Sequence, residues 1–123
     1  MENNSAALVL RIFLSSTDKY KEGLLHEHIV MKAREYGVAG ATVLKGILGY
    51  GASSVIHSSK FWEVSEKLPV VIEIIDVETK VMDFLDLIKP VLESVRYGCL
   101  VTTEKTDIIL YKKGMKKDNK SGN

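Results

Sequence analysis

Hydrophobic and polar residues alternate along the chain with two different periods, and these periods predict four strands and two helices. Leucine and isoleucine occupy every second position over residues 8–14, which is typical of a strand. Apolar residues recur every three or four positions over residues 22–36 and again over residues 81–95, which predicts two amphipathic helices. The remaining predicted strands are residues 41–46, 68–77 and 100–111.

Single residues predict where the helices begin, end and bend. Gly37 follows the first apolar stripe and provides a natural C-terminal stop. Thr79 precedes the second stripe and is expected to cap its helix. Pro90 lies inside that stripe, and because an internal proline removes a backbone hydrogen bond, we expect the helix to bend there.

The order of these elements, strand-helix-strand-strand-helix-strand, predicts an α+β domain of the ferredoxin-like βαββαβ type. In such a domain two helices cover one face of a four-stranded antiparallel sheet. Within the predicted strand at residues 68–77, residues 70–75 are apolar on both faces except at Glu73, which fits either a ligand or a residue at a solvated edge. Because two helices cannot cover both faces, we expect a second subunit to cover the other one.

Composition predicts one domain, residues 1–111, followed by a basic tail, residues 112–123, that we expect to be disordered. The tail holds five lysines and one aspartate, which leaves the rest of the chain with a net charge of −3. We therefore expect no nucleic-acid partner. Cys99 is the only cysteine, so no intrachain disulfide can form, and a reducing, cytoplasmic location is favoured.

A glycine-spaced segment follows the second predicted strand and offers the first candidate for binding. Glycines let backbone N–H groups approach a bound group, and serine hydroxyls can donate to an anion. The spacing matches neither a Walker A loop nor a GxGxxG fingerprint, so a ligand loop and an ordinary hairpin loop both remain open. The segment contains Gly46, Gly49, Gly51, Ser53 and Ser54.

Catalytic and metal-binding patterns are weak elsewhere in the chain. His26 and His28 are two positions apart on a predicted helix and point in different directions, so they cannot chelate one ion. His57 is a candidate for a phosphate or metal contact, and Cys99 is expected to be a buried, inert thiol. No pair of nucleophile and base is evident, and we therefore expect a protein that is not an enzyme.

Several motifs in register resemble the PII-like family catalogued as domain of unknown function 190, which is related to the nitrogen-regulatory PII proteins. The resemblance extends over residues 10–111. The stretches that carry it are LRIFLSSTDKY, AREYGVAGATVLKGILGYGASSVIHSS, SEKLPVVIEIID and GCLVTTEK.

The resemblance implies a homotrimer that binds ATP or ADP as an effector in clefts between subunits and signals through the loop at residues 49–67. It implies no required cofactor. Ala41 and Thr42 match the strand beside the adenine, and Gly49 and Gly51 match the base of the loop. The nucleotide-binding residues implied by position are Ala41, Thr42, Gly49, Gly51, Ala52, Ser53, His57, Arg96, Gly98 and Lys112.

The chain also departs from PII proteins. The connection at residues 95–98 is too short for their glycine- and lysine-containing phosphate loop, although Arg96 and the Gly98 N–H can take its place. The tyrosine-bearing loop is replaced, so uridylylation is not implied. Family members tend to resemble proteins encoded beside fluoride-channel homologues, and the resemblance therefore implies a membrane channel or transporter partner reached through residues 49–67.

A second class of function stays open. The related trimeric cation-tolerance fold implies a binding module for a metal ion or a small anion instead of a nucleotide. A metal would require His57 together with Cys99 or Glu73.

Overall fold

The computed structural model describes residues 1–51, 57–58 and 67–116, with residues 57 and 58 described in their backbone only. The elements are β1 (Ser5–Ser15), β2 (Lys19–Tyr20), β3 (Gly23–Leu24), α1 (Leu25–Tyr36), β4 (Ala41–Lys45), β5 (Leu48–Gly49), β6 (His57–Ser58), β7 (Pro69–Asp76), α2 (Glu78–Ser94) and β8 (Leu100–Ile108).

The four longer strands form one antiparallel sheet in the order β4-β7-β1-β8. Strand β1 is central: it pairs with β7 from Leu8 through Ser15 and with β8 from Ser5 through Phe13. The pairs β2–β3 and β5–β6 are two short hairpins outside this sheet. The predicted α+β fold of the ferredoxin-like type is confirmed.

The hydrophobic core lies between the sheet and the two helices. Alternation along β1 turns Leu10 and Ile12 towards the helices, where both are fully buried. Ile29 of α1 and Phe84 of α2 meet them from the other side and are also fully buried. The two apolar stripes in the sequence therefore correspond to the core faces of the two helices.

The opposite face of the sheet carries an apolar row that the described part of the chain leaves uncovered. Strand register aligns Leu44, Val71, Phe13 and Leu100 across all four strands. The exposed fractions of Leu44, Phe13 and Leu100 are 52%, 37% and 57%. A row of this kind costs free energy in water, so the face needs a cover from outside these residues.

Arg11 lies in the middle of the same uncovered face of the sheet. Its Nε donates to Glu73 at 3.0 Å and its Nη1 donates to Glu104 at 2.7 Å. Hydrogen bonds to Glu104 and then Glu73 raise the pKa of Arg11 above its ordinary value. Of the two interpretations left open for Glu73, a binding partner or a solvated edge, the structure shows a half-buried carboxylate paired with a neighbouring strand.

The first helix starts later than predicted. Residues 22–36 were expected to be helical, but Gly23–Leu24 pairs with Lys19–Tyr20, so α1 begins at Leu25. The apolar stripe itself begins at Leu25, so the hairpin lies just before it. Gly37 ends α1 as predicted, with a left-handed φ of 99° and its N–H donating to the Ala33 carbonyl at 3.0 Å.

The predicted cap of the second helix is wrong. Thr79 lies inside α2, and Val77 occupies the cap position without a side-chain hydrogen bond. The buried Asp76 carboxylate instead accepts from the Val77 N–H at 2.7 Å and from the Ala39 N–H at 2.9 Å. One acidic side chain therefore ties the start of α2 to the segment that leads into β4. Pro90 lies within α2, and the bend at this residue stays a prediction.

The last strand ends at Ile108, three residues earlier than the predicted end at residue 111. Ile108 pairs with Ser5, which is the first residue of β1. Residues after Ile108 therefore have no residue of β1 left to pair with. The chain after β8 is held by the Tyr111 N–H, which donates to Asn3 Oδ1 at 2.7 Å. Residues 117–123 of the predicted tail lie outside the described residues.

Candidate functional site

A cavity of about 690 Å³ lies at the carboxyl end of β1. Because β7 and β8 run antiparallel to β1, their first residues meet this end of the sheet. The α2–β8 connection and the segment before β7 therefore arrive at one place, and the stem of the glycine-spaced segment joins them. The cavity is lined by residues 13–15, 18, 49–51, 67, 69 and 96–100.

Backbone hydrogen bonds fix the chain on both sides of this cavity. The Ser16 N–H donates to the Leu68 carbonyl at 2.7 Å, and the Leu68 N–H donates to Ser16 Oγ at 3.0 Å. The Gly46 N–H donates to the Pro69 carbonyl at 2.7 Å. The segment between β4 and β7 is thus anchored where it leaves the sheet and where it returns.

Charge in the cavity lining is predominantly positive. Lys67 and Arg96 supply two cations and Asp18 supplies the one carboxylate. Asp18 is only 2% exposed, and its Oδ2 accepts from the Ser15 N–H at 3.1 Å. The Arg96 guanidinium lies 5.0 Å from the centre of the Tyr97 ring, a cation–π contact. The site therefore favours an anion.

Two glycines in the cavity region are constrained by the Pro69 ring. A Cβ added at Gly46 would lie 2.9 Å from Pro69 Cγ, and one added at Gly49 would lie 3.3 Å from it. A Cβ at Gly51 meets no atom within 4 Å, and its φ is not positive. The described residues therefore give no steric reason for a glycine at position 51, and its part in ligand binding stays a prediction; Gly46 is the glycine that packing requires.

The structure brings four of the residues predicted from the family resemblance together in the cavity lining. They are Gly49, Gly51, Arg96 and Gly98. The backbone of His57 pairs with that of Gly49 in the β5–β6 hairpin. Ala52 and Ser53 lie outside the described residues.

The other three predicted residues do not line this cavity in their own chain. Ala41 and Thr42 lie on β4 at the edge of the sheet. Thr42 is opposite Glu73 and on the uncovered face. Lys112 is exposed beyond β8.

Cys99 is exposed rather than buried, so the prediction of a buried thiol is wrong. It lies in the cavity lining at the entrance to β8. Partial desolvation raises the pKa of the Cys99 thiol, and the Asp18 carboxylate raises it further. The thiol is therefore mostly protonated at neutral pH, which makes it a poor nucleophile.

Several residues of the cavity lining were not predicted from the sequence. Lys67 and Asp18 belong to the motifs SEKLPVVIEIID and LRIFLSSTDKY, but neither motif indicates that its charged residue faces a cavity. Tyr50 follows Gly49 and also lines the cavity, but the glycine spacing does not indicate a role for the tyrosine between the glycines. The sequence did offer one signal for these residues, because each of them lies near an end of a predicted strand.

No grouping of side chains points to a metal within the described residues. Nowhere in them do three or more His, Cys, Asp or Glu residues come together. Glu73 is paired with Arg11 and does not line the cavity that contains Cys99. His26 and His28 are both half-buried on α1, and the His28 ring lies 4.4 Å from that of Tyr20.

Helices α1 and α2, the two in the described part of the chain, are too short or too polar to cross a membrane.

The split βαβ sheet, with a cavity at the base of the β4–β7 connection, defines an α+β domain of the ferredoxin-like type. Residues 7–108 match the family named DUF190 and described as "Uncharacterized ACR". The chain belongs to this family. A UPF0166 protein of Aquifex aeolicus is 36% identical over 101 residues, covering 82% of this chain and 91% of its own. A UPF0166 protein of Methanocaldococcus jannaschii is 35% identical over 98 residues, covering 80% and 88%.

Two solved structures with a similar fold are PII-like proteins. One is CPII of Thiomonas intermedia K12, a nitrogen regulatory PII-like protein bound to ADP, AMP and bicarbonate, with a TM-score of 0.62 and 18% identity over 84% of this chain and 88% of its own. Another is described as a PII-like signalling protein of Thermus thermophilus, with a TM-score of 0.63 and 16% identity over 88% and 94%. At these identities the likeness shows the fold.

Replacing Gly46 with alanine tests the contact with Pro69. The added methyl lies too close to a ring that cannot swing away, so Gly46→Ala should lower the free energy of unfolding by about 1–3 kcal/mol. Gly51→Ala is the matched control, since its methyl meets no atom within 4 Å and should change stability by less than about 0.5 kcal/mol. Urea unfolding measures both, and equal losses would contradict the packing account.

Proposed function

We propose that the protein is a PII-like regulatory protein that binds an adenine nucleotide, ATP or ADP, in the cavity at the end of β1. It needs no other cofactor and has no catalytic role. The observation that carries this proposal is the cavity lining itself. The lining contains Gly49 and Gly51 of the glycine-spaced segment together with Arg96 and Gly98 of the α2–β8 connection.

The chemistry of the cavity suits a nucleotide. Its volume of about 690 Å³ falls within the usual range for small-molecule sites, roughly 300–1,000 Å³. Arg96 and the backbone N–H groups of the glycines suit phosphate oxygens. Phe13, Tyr50 and Leu100 supply the apolar and aromatic surface that a purine base requires.

We further propose that the assembly is a homotrimer and that a neighbouring copy completes the site. Phe13 and Leu100 belong both to the cavity lining and to the exposed apolar row. A copy packed against that row would therefore lie at the mouth of the cavity. Ala41 and Thr42 do not line the cavity of their own chain. They lie on the edge strand β4, from which they would contribute to the cavity of a neighbouring copy.

Signalling would run through residues 49–67. The described ends of this segment, Gly49–Gly51 and Lys67, all contribute to the cavity lining. A ligand that contacts both ends would bind one arrangement of the segment better than others, and this difference in affinity is what shifts a population. The partner that we propose for the segment is a membrane channel or transporter.

A small anion is the second candidate ligand. Lys67 and Arg96 provide the positive charge that any anion requires, with or without a nucleoside. No observation in the described residues favours a metal ion over these two.

The thermal stability of the protein should rise when ADP or ATP is added. A ligand at 100 times its dissociation constant stabilises the folded state by about 2.7 kcal/mol. Arg96→Ala should weaken ADP binding about 10- to 100-fold, because it removes a charged hydrogen-bond donor to phosphate. Arg34→Ala, an exposed arginine in the last turn of α1, is the control and should leave binding unchanged.

Inorganic phosphate and bicarbonate serve as comparison ligands in the same titration. Stabilisation by these anions equal to that by ADP would favour the small-anion candidate. No response to ADP or ATP at millimolar concentration would contradict the nucleotide proposal.

A charge placed in the apolar row should disrupt the trimer. Leu44→Glu introduces a carboxylate at a 52% exposed position of the uncovered face, where burial would be costly. Leu87→Glu is the matched control, at a 51% exposed position of α2. Light scattering should give about three times the chain mass of 13.7 kDa for the wild type and Leu87→Glu, and a lower mass for Leu44→Glu. A monomeric wild type would contradict the assembly.

A further inference from the structure

Lys67 is held at the rim of the cavity by its neighbour in the chain. Leu68 is 3% exposed and exchanges two hydrogen bonds with Ser16 at the end of β1. The backbone that carries Lys67 is therefore fixed to the sheet, while its side chain is exposed and contributes to the cavity lining. A long side chain on a fixed backbone can reach into the cavity without reorganising the fold.

Neither cation of the cavity has a carboxylate partner in the described part of the chain. The ion pairs found there join Arg11 to Glu73 and Glu104, and Lys32 to Glu35. Neither Lys67 nor Arg96 belongs to any of them.

The single carboxylate of the lining does not neutralise the two cations. Asp18 is almost fully buried, and its Oδ2 accepts the Ser15 N–H. Within the described residues the cavity lining therefore keeps a positive charge that an anionic ligand can meet.

The two cations reach the cavity from different elements. Arg96 lies on the α2–β8 connection and contacts the Tyr97 ring, whereas Lys67 lies on the segment that leads into β7. Arginine presents a planar fork of donors, and lysine presents a compact point charge. A diphosphate carries more negative charge and more acceptor oxygens than a monophosphate, so it can make more contacts with two cations that arrive from different elements.

We propose that Lys67 is a second phosphate-binding residue and that, with Arg96, it makes the site select nucleotides with two or more phosphates over monophosphates. This proposal rests on the proposed nucleotide function. The selection follows from the greater negative charge and the larger number of acceptor oxygens of a diphosphate group, which ADP, ATP and inorganic pyrophosphate share.

Calorimetric titration with AMP and ADP tests this role. The wild type should bind ADP at least about tenfold more tightly than AMP, since the second phosphate gains a charge-assisted hydrogen bond. Lys67→Gln should remove most of that difference by weakening ADP binding about tenfold while leaving AMP binding unchanged. Lys67→Arg keeps the charge and should retain the preference for ADP.

Lys89→Gln is the matched control, because Lys89 is exposed on α2 and does not line the cavity. It should bind both nucleotides as the wild type does. Thermal unfolding without ligand verifies that each variant is folded.

Two outcomes separate the role of Lys67 from the proposed function. If the wild type binds ADP and Lys67→Gln retains its preference over AMP, Lys67 is not a phosphate-binding residue and the nucleotide function stands. If the wild type binds neither nucleotide, both proposals are overturned. Inorganic pyrophosphate displacing ADP better than inorganic phosphate does would support the two-cation site.

Discussion

The antiparallel pairing of β1 with β7 is the constraint on which the rest of the structure depends. It runs without interruption from Leu8 opposite Asp76 to Ser15 opposite Pro69. The pairing places the inward residues of both strands in one core, and it brings the end of β1 against the start of β7. The hydrogen bonds between Ser16 and Leu68 extend this contact past the last ladder pair. These two strand ends form one side of the cavity, since Ser15 and Pro69 both belong to its lining.

The second constraint is that the helices cover only one face of the sheet. The same register that buries one set of side chains aligns an apolar row on the other face. Phe13 and Leu100 belong to this row and to the cavity lining, so the surface that needs a cover continues into the surface that would hold a ligand. Assembly and ligand binding are therefore linked in the proposed function through shared side chains.

Hydrophobic periodicity was sufficient to predict the fold, because the core faces of β1, α1 and α2 follow from it directly. Helix starts were not predictable from the same pattern: Gly23–Leu24 falls within the predicted helix but pairs as a strand, and Asp76 rather than Thr79 meets the start of α2. Their placement depends on contacts with residues far away in sequence.

The candidate site was predicted in part. Gly49, Gly51, Arg96 and Gly98 followed from the family resemblance, since glycine spacing and a short connection are visible in the sequence. The other cavity residues were not predictable, because whether a charged side chain faces a cavity depends on strand register and on how the chain returns to the sheet. Residues predicted from β4 would require a second copy to take part.

The most direct test of the account is a crystal structure of the protein grown with ADP. The account predicts that ADP occupies the cavity at the end of β1 with its phosphates at Arg96, and that a second copy packs on the row formed by Leu44, Val71, Phe13 and Leu100. ADP bound elsewhere on the chain, or an ADP-filled cavity in a protein whose apolar row meets no other copy, would contradict it.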